Sequence, residues 1–241
     1  MIDNKKRALV KAVFWRVIGS TVLGTLTWIL TGSLQAIGFM LLFFNLIQIC
    51  TYFVYERFWN YISWGRTKGI FIQMTGMSGA GKTTLSTAVA KKLKAQGFKV
   101  EIIDGDEYRK NVSKDLGFSK KDRIENIQRL GFIGQVLKRN GVIAIMATIN
   151  PYDSARQNLA GLGAKTIYIK CNLDELKKRD TKGLYYRAML EDGHPNKVYN
   201  LTGVSDPFEP PSKPDLVIDT GEESLKRSVD KLYSFILSNS Q

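Results

Sequence analysis

Histidine and cysteine are nearly absent: His194 stands alone, and Cys50 and Cys171 lie far apart in segments of different character. That excludes a disulfide framework and a His/Cys metal cluster. Two unpaired thiols fit a reducing compartment, and His194 is read as a surface or lid residue. A guanine-reading N-K-x-D element is missing, because Asn196-Lys197 continues into Val198-Tyr199. No stripe of Lys and Arg interleaved with aromatics is present, which argues against a nucleic-acid partner. Acidic residues are in deficit, 22 against 35 Lys and Arg, for a formal charge of +13. A moderately basic body of this kind suits small anionic substrates.

Hydrophobic residues make up 44% of the 241, enough for a packed core. Two apolar runs open the chain. Ala36–Tyr55, "AIGFMLLFFNLIQICTYFVY", carries no charge, and a helix rising 1.5 Å per residue would make it long enough for a hydrocarbon layer of roughly 30 Å. Val13–Leu30, "VFWRVIGSTVLGTLTWIL", contains Arg16 in its first turn, from where a long side chain can snorkel to the headgroups. "TGSLQ" with Gly32 reads as the turn between them. Lys5, Lys6, Arg7 and Lys11 precede the first run, and Arg57, Arg66 and Lys68 follow the second. The positive-inside rule then places both ends in the cytoplasm. No small-residue cleavage pattern closes the first run, so a signal peptide is disfavoured. The expectation is a two-helix membrane hairpin within residues 1–66, with spans at 13–30 and 36–55. It would hold a domain of residues 67–241 at the cytoplasmic face of an inner membrane. A buried, soluble hairpin is the plainer alternative.

From Lys68 the pattern changes to short apolar strands alternating with amphipathic helices. Strands are expected at 69–75, 99–104, 141–149, 165–170 and 215–219, a parallel sheet covered on both faces. A closing helix is expected at about 222–237. The first strand runs into Gly76-Met77-Ser78-Gly79-Ala80-Gly81-Lys82-Thr83, the Walker A form G-x-x-x-x-G-K-[ST]. Its glycines let successive N–H groups converge on phosphate, and the helix from Lys82 presents its positive end to the same anion. Lys82 would neutralise β- and γ-phosphate oxygens of ATP, and the Thr83 hydroxyl would ligate Mg²⁺. The fold class expected is α/β, a P-loop NTPase-type parallel sheet flanked by helices, preceded by an all-α transmembrane helical hairpin.

A Walker A loop alone serves kinases, GTPases, motors and binding modules. The side chains beyond the strand ends narrow the choice. In "DGDEYR", Asp104 and Asp106 would divide two tasks, one holding Mg²⁺ water or substrate and the other acting as base on an acceptor hydroxyl. Arg109 and Arg123 would clamp an anionic acceptor.

The blocks "GMSGAGKTTLS", "DGDEYR", "LGFSKKDRIENIQRLG", "INPYDSAR", "RDTKGLY", "LTGVSDPFEPP" and "DLVIDTGEES" follow in this order between about Phe71 and Ser228. In them the chain resembles the adenylyl-sulfate kinases, and the first seventy residues resemble a small two-helix membrane module. The resemblance implies transfer of the γ-phosphate of ATP to the 3′-hydroxyl of adenosine 5′-phosphosulfate. It implies that Gly76–Thr83 cradle ATP, that Asp106 is the base or hydroxyl orienter, and that Asp104 supports it. Arg109, Phe118, Arg123 and Asn126 would bind adenylyl sulfate, with Phe118 stacking on adenine. Ile149 and Asn150 would line the same pocket, and Lys182, Leu201 and Thr202 would belong to a mobile lid. Expected partners are adenylyl sulfate and a membrane, with a homodimer admitted.

Four departures lie on the acceptor side. Glu107 stands where the family usually has Asn, Asn150 where it has Ser, and Leu201 where it has Phe; the lid from Tyr185 to Leu201 is longer. An amide at 150 cannot carry a phosphoryl group, which leaves direct in-line transfer. These departures motivate two alternatives: a kinase of another nucleotidyl acceptor, such as a cytidine-diphosphate derivative of surface-polysaccharide chemistry, or a non-catalytic nucleotide-binding membrane module.

Overall fold

The computed structural model describes residues 5–61, 68–180 and 182–240. The chain separates into two compact units, Met1–Arg66 and Thr67–Gln241. The domain boundary expected at 66/67 falls among residues 62–67, outside the described ones.

The first unit is a pair of packed helices, α1 (Lys5–Thr31) and α2 (Leu34–Tyr61). Large apolar side chains such as Val22, Leu26, Ile29, Phe39, Leu42 and Leu46 are exposed along both. The polar side chains turn back on their own helices. Thr21, Thr25, Thr27 and Thr31 each donate to the carbonyl four residues earlier, and Asn45 Nδ2 donates to Leu41 O at 2.7 Å. Among the described residues, no helix is long and apolar enough to cross a membrane. The expected spans at 13–30 and 36–55 are therefore present as helices but are not shown to be crossings. The side chains of residues 1–15 and of several residues between 50 and 61, Cys50 included, lie outside the described ones.

The second unit is a five-stranded sheet, β1 (Phe71–Thr75), β2 (Val100–Asp104), β3 (Ile143–Ala147), β4 (Ala164–Lys170) and β5 (Leu216–Asp219). The strand order is β2-β3-β1-β4-β5 and every pairing is parallel, with Ile72 opposite Ile145 and Met74 opposite Ile167. Parallel neighbours require crossovers, and the helices supply them: α3 (Lys82–Ala95), α4 (Gly105–Val112), α5 (Lys120–Arg139), α6 (Asp153–Gly161), α7 (Leu173–Arg179), α8 (Leu184–Ala188) and α9 (Leu225–Ser240). Alternation of side chains makes two cores. Ile72, Met74, Ile143 and Ile145 pack with Leu85, Leu93, Leu232 and Ile236 under α3 and α9. Phe71, Ala144 and Met146 pack with Leu130 and Leu159 under α5 and α6. The central strands β1 and β3 are buried at every position, while edge strand β2 exposes Glu101. The carboxyl ends of β1, β2 and β3 open on one side, where ligands bind in such sheets.

Candidate active site

The site begins where β1 ends. From Thr75 the chain turns through Gly76 so close to β4 that an added Cβ would lie 2.4 Å from Ile169 O. Gly81 then starts α3 at φ 92, in the left-handed region, and no side chain caps the helix. Its first N–H groups are therefore open to an anion. The Lys82 ammonium donates to Gly76 O at 2.8 Å and Met77 O at 2.7 Å. Burial of the amine, with the Lys182 charge nearby, holds its pKa down to about 7. A phosphate at the loop would favour the charged form again. Two further contacts brace the loop from outside. Tyr185 Oη donates to Ser78 O at 2.8 Å, and Thr220 Oγ1 donates to Ala80 O at 2.8 Å.

Asp104, the last residue of β2, divides its carboxylate between two elements. Oδ1 accepts from Asp106 N at 2.9 Å and Glu107 N at 3.4 Å, capping α4, and Oδ2 accepts from Thr83 Oγ1 at 2.9 Å. The capped first turn holds Asp106, whose exposed carboxylate is ion-paired with Lys182. Mg²⁺ suits this pair of oxygens, since it keeps several waters and binds one or two protein oxygens beside phosphate. Among the described residues no group of three or more His, Cys, Asp or Glu could hold a metal unaided.

The second end of the site is set by α5. The Ser119 hydroxyl accepts from Asp122 N at 3.1 Å, which starts the helix and fixes Phe118 just ahead of it. Phe118 is 61% exposed and lies beneath two guanidinium groups, Arg109 at 4.3 Å and Arg123 at 5.8 Å from its ring centroid. The two arginines differ in commitment. Arg123 donates to Phe118 O, Thr202 Oγ1 and Asn200 O, with Asp206 at 3.5 Å. Arg109 donates through Nη2 to Gly117 O at 2.6 Å, while its buried Nε has no partner. Burial and the neighbouring Arg123 charge push the Arg109 pKa down, as expected of a cation awaiting an anion.

Both ends open into one cavity of about 1020 Å³. Lys82, Thr83 and Asp106 wall one end, and Phe118, Arg123 and Thr202 the other, with Ile149, Lys182 and Leu201 also lining it. Ser78, Gly79 and Asp104 also face it, whereas Gly76, Met77, Ala80, Arg109, Asn126 and Asn150 are not part of its wall. Asn126 is buried, with Oδ1 unpartnered. Asn150 is buried too, and its amide turns away to Gln73 Oε1 at 3.0 Å. Glu107 is exposed on α4. The sequence reading missed Arg179 and Thr220, which line the cavity beside the loop and are joined through Arg179 Nη2 to Thr220 O at 2.8 Å. Their signal is the pair of blocks "RDTKGLY" and "DLVIDTGEES", in which Arg179 and Thr220 stand.

A parallel sheet with a phosphate loop at the end of its central strand, joined by one cavity to an arginine-flanked aromatic, defines a P-loop kinase. Residues 68–219 match the adenylylsulphate kinase family, and residues 9–60 match a family described as predicted membrane protein (DUF2061). The adenylyl-sulfate kinase of Picosynechococcus sp. is 43% identical over 169 residues, 68% of this chain and 92% of that one. Among solved structures, the APS kinase CysC of Mycobacterium tuberculosis in complex with AMPPNP and APS has a TM-score of 0.65 at 28% identity. It covers 71% of this chain and 98% of that one. The hexameric APS kinase from Thiobacillus denitrificans has a TM-score of 0.52 at 28% identity, covering 72% of this chain and 29% of that one. The chain belongs to the adenylylsulphate kinase family.

Proposed function

We propose that the chain transfers the γ-phosphate of ATP to the 3′-hydroxyl of adenosine 5′-phosphosulfate, giving 3′-phosphoadenylyl sulfate, from a helical hairpin seated in a membrane. The observation that carries the reaction is one cavity, with the phosphate loop and Asp106 at one end and Phe118 and Arg123 at the other. Gly76–Thr83 would hold the ATP phosphates, with the Lys82 ammonium leaving its two carbonyls for phosphate oxygens. Thr83 and Asp104 would hold Mg²⁺, which when bound neutralises charge on the transferred group. Asp106 accepts the proton of the acceptor hydroxyl as the bond to phosphorus forms. Lys182, paired with Asp106, would tie the lid segment over the site and exclude water. The exposed Phe118 ring would stack on a purine, and Arg123 in the same wall would supply positive charge for phosphate or sulfate.

The membrane seat is supported by the match of residues 9–60, by apolar side chains exposed along both helices, and by hydroxyls that satisfy themselves within their own helix. Helices that expose large apolar side chains and return threonine hydroxyls to their own backbone suit surroundings that offer no water. Basic residues at both flanks favour the cytoplasmic face of an inner membrane. Self-association is supported by the hexameric relative alone.

The test is a turnover assay of the purified full chain with ATP and Mg²⁺, offering adenylyl sulfate beside other nucleotide acceptors. Rapid ADP release with adenylyl sulfate is expected. Turnover only with a cytidine-diphosphate compound would replace the acceptor, and no turnover at all would reduce the chain to a binding module.

A further inference from the structure

Asn150 has backbone and side-chain features that acceptor binding does not use. Its φ is 40, inside the left-handed region. Asparagine tolerates that conformation better than most residues, and β-branched or bulky ones avoid it. Its side chain is 1% exposed and tied into a buried polar chain whose direction is forced. Gln73, fully buried in the central strand, donates through Nε2 to Arg156 O and to Thr166 Oγ1, both at 2.9 Å. A backbone carbonyl only accepts, so Gln73 must present Oε1 to Asn150, and Asn150 must answer with its amide N–H.

The same residue is fastened to the start of the phosphate loop. Its carbonyl accepts from Thr75 Oγ1 at 3.0 Å and from the buried Arg156 Nη1 at 2.9 Å. The Thr75 hydroxyl also donates to Ile149 O at 2.9 Å, and Ile149 O accepts from Gly76 N at 3.2 Å. Thr75 ends β1 and Gly76 opens the loop. Arg156 extends the anchor to Glu209 O at 2.7 Å and Asp153 Oδ1 at 3.0 Å. The blocks "INPYDSAR" and "LTGVSDPFEPP" thus supply a knot behind the loop.

We infer that Asn150 is a positioning residue for the nucleotide: its left-handed backbone and its bond to Gln73 aim the carbonyls of Ile149 and Asn150 at Thr75 and Gly76, and so set where the phosphate loop begins. The inference rests on the kinase reading for where nucleotide binds, and is independent of which acceptor is used. Three variants of the full chain separate the parts. Asn150→Gly keeps the backbone conformation and loses the amide. Asn150→Ala loses the amide and strains the backbone. Thr75→Val keeps the shape of the strand end and removes the hydroxyl shared by the two carbonyls, while Asn150, Arg156 and the Gly76 N–H stay in place.

Mg·ADP affinity is measured by calorimetry, and the KM for adenylyl sulfate separately. Asn150→Ala is expected to weaken Mg·ADP binding by about fivefold or more, Asn150→Gly by about twofold, and Thr75→Val by about threefold. The acceptor KM should stay within about twofold throughout. The Thr75→Val and Asn150→Gly losses should combine to less than their product, because both act through the same two carbonyls. Folded Asn150→Gly and Thr75→Val proteins that bind Mg·ADP like the parent would overturn the inference, even if Asn150→Ala failed to fold. A rise in acceptor KM with unchanged ADP affinity would also overturn it and return Asn150 to the acceptor pocket. Failure of the parent to use adenylyl sulfate would leave the ADP titrations standing, so the two readings fail separately.

Discussion

Asp104 and Asp106 are two residues apart and carry the same group, yet their surroundings give them different work. Asp104 has both oxygens engaged, one on the start of α4 and one on Thr83, so it fixes geometry. Asp106 is exposed, pairs with Lys182 and faces the cavity, which suits the proposed role of proton acceptor. Lys82→Ala and Asp106→Ala are each expected to lower kcat by about a hundredfold or more, read in a steady-state assay with melting temperature as control. Tyr185 offers a residue-scale test that needs no substrate. Burial raises its phenol to about 12, and the hydroxyl donates to Ser78 O. An unfolded tyrosine ionises near pH 10, so between about 10 and 12 the folded chain holds a proton that the unfolded chain has lost. The stability contributed by the Tyr185 hydroxyl is therefore complete below pH 10 and disappears as pH rises through 12. Tyr185→Phe should unfold at lower urea than the parent at pH 8, by about 1 kcal/mol. That gap should shrink steadily toward pH 12; a gap independent of pH would refute the buried phenol.

Elements in this chain are set by rules that differ in how openly a sequence displays them. The strands were legible because β1 and β3 are buried on both faces and so read as unbroken apolar runs; expected and observed limits differ by at most a few residues. The phosphate loop was legible because its glycines and lysine have fixed spacing. Less visible is the start of α4: Asp104 followed three residues later by Glu107 is a helix-capping pattern, which the catalytic reading of Asp104 masks. Asn150 is named by the resemblance as an acceptor-pocket residue, but its place behind the loop is hidden, since neither its left-handed backbone nor its Gln73 partner, far away in sequence, leaves a local pattern. Helix glycines show the same limit. Gly134 in α5 and Gly161 in α6 look alike on paper. A Cβ on Gly134 would come within 2.4 Å of the buried Phe71 ring, whereas one on Gly161 would meet nothing within 4 Å. Gly161→Ala should stabilise the chain by about 0.5–1 kcal/mol through helix propensity. Gly134→Ala gains the same propensity but overpacks a filled core, a cost of about 1–3 kcal/mol. Urea denaturation should therefore give shifts of opposite sign for one chemical change.

At the scale of the whole molecule, the two units follow different solvent rules. In the second unit apolar side chains converge under the sheet and its helices. In the first, large apolar side chains are exposed along both helices, and the hydroxyls of Thr21, Thr25 and Thr31 return to their own backbone. Exposed patches of that extent are unusual in a soluble monomer and mark a membrane or protein contact. Whether lipid is the contact is decided by extraction. Membranes from cells expressing the full chain are washed at alkaline pH, which strips proteins held by charge alone, and then with detergent. A hairpin threaded through the hydrocarbon should stay in the pellet through the first wash and leave only in the second, while a chain of residues 67–241 should be found in the supernatant from the start. Release of the full chain by alkali would mean that the helices lie on the surface or cover another protein. The kinase unit has its own two cores and its own cavity, so its kcat should be within about twofold of the full chain in either case.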